Sequence, residues 1–133
     1  MILVDTNVLI DVAAEDPAWF EWSAAKLATL GSREPLAINP IIYAEFSVHF
    51  DTVEQIEDAL AGFRFERLPL PWDAAFLAGK AFKLYRRRGG KRAAPLPDFF
   101  IGAHAAVAGI SLLTRDPRRF RDYFPRLKLI APN

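Results

Sequence analysis

The chain has 133 residues, 52% of them hydrophobic, no cysteine and a formal net charge of +1. That length suits about one domain with a real core, expected to span 1–133, and it excludes disulfides and thiolate metal sites. No run approaches the roughly 18 apolar residues of a membrane span, and Asp5 cuts the opening apolar run with no basic region before it, so a cytoplasmic protein without a signal peptide is expected.

Ile2 to Val4 reads as a short buried strand, after which Thr6 or Asn7 can cap a helix carrying Val8, Leu9, Ile10 and Val12. Asp16-Pro17 opens a second helix, bearing Trp19, Phe20, Trp22, Leu27 and Leu30 and ending near Gly31. Leu36 to Ile38 is a strand, and Asn39-Pro40 repeats the cap-plus-proline signal before the helix with Glu45. An amphipathic helix follows from Val53 to about Phe63, then a weakly alternating strand from Phe65 to Leu70. Pro71-Trp72-Asp73 starts a helix that runs to Arg86-Arg87-Arg88 and stops at Gly89-Gly90. Lys91 to Pro97 reads as loop, about Asp98 to Ala108 as helix and Ile110 to Leu113 as strand. Arg115 to Tyr123 is turn and short helix, and Leu127 to Ile130 a last short strand. Strands alternate with helices, so the class is α/β with a mainly parallel sheet.

Four acids stand among apolar runs: Asp5 after Met1-Ile2-Leu3-Val4, Glu45 within Ile41 to Phe46, Asp98 before Phe99-Phe100-Ile101, and Asp116 after Ile110 to Thr114. Charged groups rarely sit so unless something compensates them. In open parallel sheets, functional groups gather beyond the carboxyl ends of strands, where Asp5 and Asp116 fall. Glu45 follows Ile41 and Ile42 by four and three residues, which puts it on their side of the helix. Each acid also has an ordinary explanation. Asp98 and Asp5 suit helix caps, Asp116 before Pro117 suits a turn, and Glu45 suits a solvated helix face. The combination is stronger than any one position. Crowded carboxylates repel, and a Mg²⁺ or Mn²⁺ ion would relieve that through oxygen ligands alone. One such ion, or two about 4 Å apart, can activate water against a phosphodiester. Thr6, Asn7 and Thr114 are polar neighbours that can orient the acids, or simply serve turns and caps.

Charge is unevenly spread. Up to Asp73, 4 Lys/Arg stand against 13 Asp/Glu, a net −9; from Ala74 onward 13 stand against 3, a net +10. Either the halves interleave and pair their charges, or a basic surface lies beside an acidic pocket, as a metal-dependent nuclease would use. Arg86, Arg87, Arg88, Lys91 and Arg92 are candidates for a phosphate clamp, or for a solvated helix end favoured by the macrodipole. His104 is expected in the core or an interface, and His49, four residues after Glu45, suits Mg²⁺ poorly. Trp19, Phe20 and Trp22 cannot all face one core, so at least one is expected at the surface as a partner anchor.

Val4-Asp5-Thr6-Asn7-Val8-Leu9 resembles the opening motif of PIN domains. Pro40 to Glu45 is similar to their second motif, Leu96 to Ala105 to their third, and Leu113 to Phe120 to their fourth. The four occur in order along nearly the whole chain, and size and architecture most resemble VapC toxins of type II toxin–antitoxin pairs. The resemblance implies an α/β/α sandwich around a mainly parallel sheet and a metal-dependent endoribonuclease. It implies Asp5, Asp98 and Asp116 as metal-site acids, with Glu45 completing the site, often through water. It further implies RNA as substrate, a homodimer, and a cognate antitoxin that covers the active site. Two other readings are weaker. A haloacid-dehalogenase-like phosphatase wants a second Asp where Asn7 stands. A receiver-type domain wants paired N-terminal acids. A non-catalytic PIN-like RNA-binding scaffold is the non-enzymatic alternative, and retention of all four acids argues against it.

Overall fold

The computed structural model describes residues 1–93 and 96–133. Ala94 and Pro95, inside the expected loop from Lys91 to Pro97, lie outside the described residues. The chain runs β1 (Ile2–Val4), α1 (Thr6–Ala13), α2 (Phe20–Gly31), β2 (Leu36–Ile38), α3 (Pro40–Ser47), α4 (Val53–Ala61) and β3 (Glu66–Arg67). It continues through α5 (Trp72–Arg87), α6 (Pro97–Ala108), β4 (Ser111–Leu113), α7 (Arg118–Tyr123) and β5 (Leu129–Ile130).

All strand pairs are parallel, in the order β3-β2-β1-β4-β5. From β1 the chain steps outward to β2 and β3, then returns across the sheet to β4 and β5. Right-handed crossovers therefore put α1–α4 on one face and α5–α7 on the other. Helix packing largely agrees: α1 lies on α2 and α3, α5 on α6, and α6 on α7, while α3 and α6 also meet, joined by the Asn39–His104 hydrogen bond. The result is an α/β/α sandwich, as expected. β1 and β2 are buried throughout and read as unbroken apolar runs, and β4 is buried at Leu112 and Leu113 after a partly exposed Ser111. Phe46, Phe99 and Phe120 are among the largest fully buried side chains, and each contributes about 1.5–3 kcal/mol on burial. Gly102 lets α6 approach Phe124 closely, because a Cβ there would come within 2.5 Å of that ring. No helix among the described residues is long and apolar enough to cross a membrane.

Several boundaries differ from the sequence reading, each for a local reason. Of the caps the sequence offered for α1, Asp5 takes the role, accepting from Thr6 N, and Thr6 and Asn7 fall inside the helix. Asp16 caps a turn, accepting from Ala18 N and Trp19 N at 2.9 Å each, and α2 begins only at Phe20. β3 spans Glu66–Arg67 alone, since Pro69 has no N–H for a ladder. α6 ends as its spacing predicts, and Gly109 adopts φ +68 there while Ile110 N bonds to Ala105 O. Of the aromatic trio, none is exposed. Trp22 packs on the core, Trp19 stands edge-on to it at 5.9 Å, and the exposed aromatics are instead Trp72 and Phe76 on α5.

Candidate functional site

Strand order reverses between β1 and β4, which makes their carboxyl ends the topological switch point of the sheet. Register fixes what meets there. Val4 pairs with Leu113, and Asp5 N bonds to Leu113 O at 2.9 Å. The next residues, Asp5 and Thr114, therefore lie side by side. Thr114 Oγ1 donates to Asp5 Oδ2 at 2.7 Å, and Thr6 N donates to Asp5 Oδ1 at 2.8 Å. Thr114 Oγ1 also accepts from Asp116 N at 3.1 Å and from Asn7 Nδ2 at 3.3 Å. Asn7 Oδ1 in turn accepts from Arg115 N at 3.4 Å. Thr6 Oγ1 donates to Glu45 Oε1 at 2.7 Å, tying α3 to the same corner. Thr6, Asn7 and Thr114 thus hold the acids in place, beyond any role in turns.

Asp5, Glu45, Asp98 and Asp116 all line one cavity of about 840 Å³, together with Thr6 and Asn7. Asp5 forms its buried floor, at 4% exposure. Burial pushes its carboxyl from the ordinary 3.8 up to about 7, against the Thr114 hydrogen bond, with Asp98 and Glu45 adding repulsion. Burial also raises Glu45, opposed by the Thr6 hydroxyl and assisted by Asp98. Asp98 is raised by burial, opposed by Arg119 and assisted by Asp116. Asp116, at the rim, is lowered chiefly by its hydrogen bond from Arg118. Among the described residues, no three acidic or imidazole groups stand in ready-made ion-coordinating geometry. The four acids converge without closing on a point, and two of them face arginines.

Those arginines are not the ones the sequence singled out. Arg86, Arg87, Arg88, Lys91 and Arg92 are exposed around the end of α5, and none is among the residues lining the cavity. Arg86 Nη1 is turned back onto Arg92 O at 2.9 Å, and Arg88 Nη1 reaches Asp122 O at 3.5 Å. Tyr85, Tyr123 and His49 line the cavity too, and the arginines that line it are Arg118 and Arg119 of α7. Their adjacency to Asp116-Pro117 was the available signal, because a short helix after that turn must begin over the site. Asp11 also escaped notice. It is fully buried, accepts from Ser23 Oγ at 2.7 Å, and binds Arg115 Nε through both oxygens at 2.9 Å. Arg115 lies over the Trp19 ring, so α1 and α2 together anchor the loop between Thr114 and Asp116. An acid between Ile10 and Val12 carried the same signature as the other four. His104 is structural, as expected. It is buried, and its Nδ1 accepts from Asn39 Nδ2 at 2.9 Å while Asn39 Oδ1 caps α3 through Ile42 N. Burial lowers its pKa and keeps it neutral.

The chain is similar in structure to VapBC2 from Rickettsia felis bound to a promoter DNA fragment, at 22% identity and TM-score 0.76, with 100% of each chain covered. It is similar to VapBC-1 from nontypeable Haemophilus influenzae at 22% identity and TM-score 0.72, with 98% of each chain covered. FitAcB from Neisseria gonorrhoeae aligns at 22% identity and TM-score 0.70, over 98% of this chain and 96% of that one. No curated protein matches the sequence. At such identities these likenesses speak for the fold. The PIN domain family profile, however, matches residues 2–124, a span that contains β1, β4 and all four acids. The chain belongs to the PIN-domain family.

Proposed function

We propose that the chain is a Mg²⁺- or Mn²⁺-dependent endoribonuclease, the toxin of a toxin–antitoxin pair. One observation carries the reading: Asp5, Glu45, Asp98 and Asp116, from four separate elements, line a single cavity at the switch point of the sheet. PIN domains are generally nucleases, and the similar structures named above are VapBC and FitAB-type complexes.

The donor set fits a hard divalent cation. It offers carboxylate and hydroxyl oxygens and no thiolate. Burial, with repulsion from Asp98 and Glu45, pushes the Asp5 carboxyl up to about 7, and a cation would relieve that. Asp5, Asp98 and Asp116 would hold one or two ions, and Glu45 would act directly or through water. When bound, the ion supplies Lewis acidity that makes water nucleophilic and neutralises the leaving oxygen. The protein's own groups do the rest. Thr114 and Thr6 fix the Asp5 and Glu45 carboxylates, and the Asp11–Arg115 pair steadies the loop that presents Asp116. Tyr85 and Tyr123 line the same cavity, with Arg119 over the first ring and Arg88 over the second. RNA substrate, a cognate antitoxin and a homodimer belong to the same proposal. The phosphatase alternative gains nothing from the geometry, because Asn7 spends its amide on Thr114 and Arg115.

The test incubates the protein with structured and single-stranded RNAs in Mn²⁺, in Mg²⁺ and in chelator. Cleavage that needs the ion, and that Asp98→Asn abolishes while the variant melts normally, is the expected result. An active Asp98→Asn protein, or turnover of phosphate monoesters without RNA cleavage, would overturn the reading.

A further inference from the structure

α7 brings two cations to the very acids assigned to the ion. Arg118 Nε stands 3.2 Å from Asp116 Oδ1, with its Nη2 3.5 Å from Oδ2. Arg119 Nη1 stands 3.7 Å from Asp98 Oδ2. Both pairs are open to water: the Arg118 side chain is 85% exposed and that of Arg119 41%. Such pairs are weak and break easily. Arg119 also lies over the rings of Tyr85 and Phe99, 5.9 and 6.0 Å from their centroids, which keeps it in the cavity whatever its partner.

A divalent ion on Asp98 and Asp116 would compete for the same oxygens and repel both guanidiniums at short range. Each guanidinium would then need another anion. A phosphodiester is that anion, since its two free oxygens match the guanidinium fork. The Arg86–Arg92 segment competes poorly for this role, because none of its cations lines the cavity and Arg86 already donates to the carbonyls of Gly90 and Arg92.

We propose that Arg118 and Arg119 exchange partners, pairing with Asp116 and Asp98 until a divalent ion takes those acids and then binding RNA phosphates, so that ion and RNA bind cooperatively. The proposal rests on the metal-dependent ribonuclease reading above. It assigns substrate binding to α7 and makes the same two side chains report on the ion.

The test is a titration of a fluorescent single-stranded phosphorothioate oligoribonucleotide, on ice, with and without Mn²⁺, against the natural chain and Arg118→Gln/Arg119→Gln. The two proteins should bind alike in chelator. With Mn²⁺ the natural chain should tighten, while the variant tightens far less. Its slope of log K against log salt should be shallower by about 1.4, the value for two phosphates on a single strand. Calorimetry without RNA should show tighter Mn²⁺ binding in the variant, because an internal competitor is gone. Arg118→Gln alone, at the more exposed position, should give half the slope change and guards against disturbed packing at Tyr85. Equal weakening with and without Mn²⁺, or none at all, would overturn the exchange while leaving a cleaving, Mn²⁺-binding enzyme intact. A natural chain that neither binds Mn²⁺ nor cleaves RNA would instead overturn the ribonuclease reading, and the exchange with it.

Discussion

Replacing Asp5 by Asn removes the most strained charge in the fold. The folded-state pKa of about 7 lies above the ordinary 3.8, so burial favours the protonated form. The stability contributed by that protonated carboxyl is complete below pH 3.8 and is lost as pH rises to about 7. At about 1.4 kcal/mol per pH unit, that interval is worth about 4 kcal/mol. Asparagine avoids this cost and keeps most contacts. Its Oδ1 can still accept from Thr6 N, and its Nδ2 can donate to Thr114 Oγ1. The Thr114 hydrogen must then turn to Asp116 O, 3.4 Å away, a poorer bond at a cost of about 1 kcal/mol. The expected net gain is about 3 kcal/mol at pH 8 in chelator, falling through zero to a loss of about 1 kcal/mol at pH 4, where only the poorer hydrogen bond remains. Urea unfolding of both proteins from pH 4 to 8 measures it. Some slope should persist in the variant, because burial raises Glu45 and Asp98 as well. A variant less stable than the natural chain at pH 8, or equal pH slopes for the two, would refute the claim that Asp5 is buried without a cationic partner.

Two further outcomes follow from the same network. Asp11→Ala should lower stability by about 2–3 kcal/mol, because it leaves the half-buried Arg115 guanidinium and the Ser23 hydroxyl without their shared acceptor; an unchanged urea midpoint would show that the pair anchors nothing. Thr114→Val removes the hydroxyl that holds the Asp5 pKa down, so the carboxyl should titrate above about pH 7. Mn²⁺ affinity near neutral pH should then fall about 10–100-fold in calorimetry, and a variant that binds Mn²⁺ normally would remove Thr114 from the site.

Much of the framework was legible because local and global signals agreed. Asn39-Pro40 marks the start of α3 by capping chemistry, and the buried strands announce themselves as unbroken apolar runs. The four acids were legible because each lies against such a run. What stayed hidden depends on partners far away in sequence. Asp11 and Arg115 are separated by 104 positions, and nothing in either neighbourhood names the other. The arginines around the end of α5 were the more conspicuous cluster, yet none of them lines the cavity and Arg86 turns back onto its own segment, while the pair after Pro117 faces the acids. A run of charge in one dimension does not reveal which side of a helix faces a cavity. The short β3 is a similar case, where the alternation from Phe65 to Leu70 is cut by a proline that only the ladder makes decisive.

The cavity meets its acids with two different compensators, and their arrangement is graded. At the floor, Asp5 and Glu45 find only hydroxyls and a backbone N–H, which soften the charge but do not cancel it, so burial raises the pKa of both. At the rim, Asp116 finds a guanidinium and stays ionised. Asp98 lies between, with an arginine at 3.7 Å that opposes burial without overcoming it. Protons cannot bridge carboxylates from four different elements, and α7's arginines reach only the outer two. In the proposed reading, a divalent cation would serve floor and rim together, being small and doubly charged. Its uptake would then displace protons from below and arginines from above, which would couple the site to pH on one side and to anionic substrate on the other.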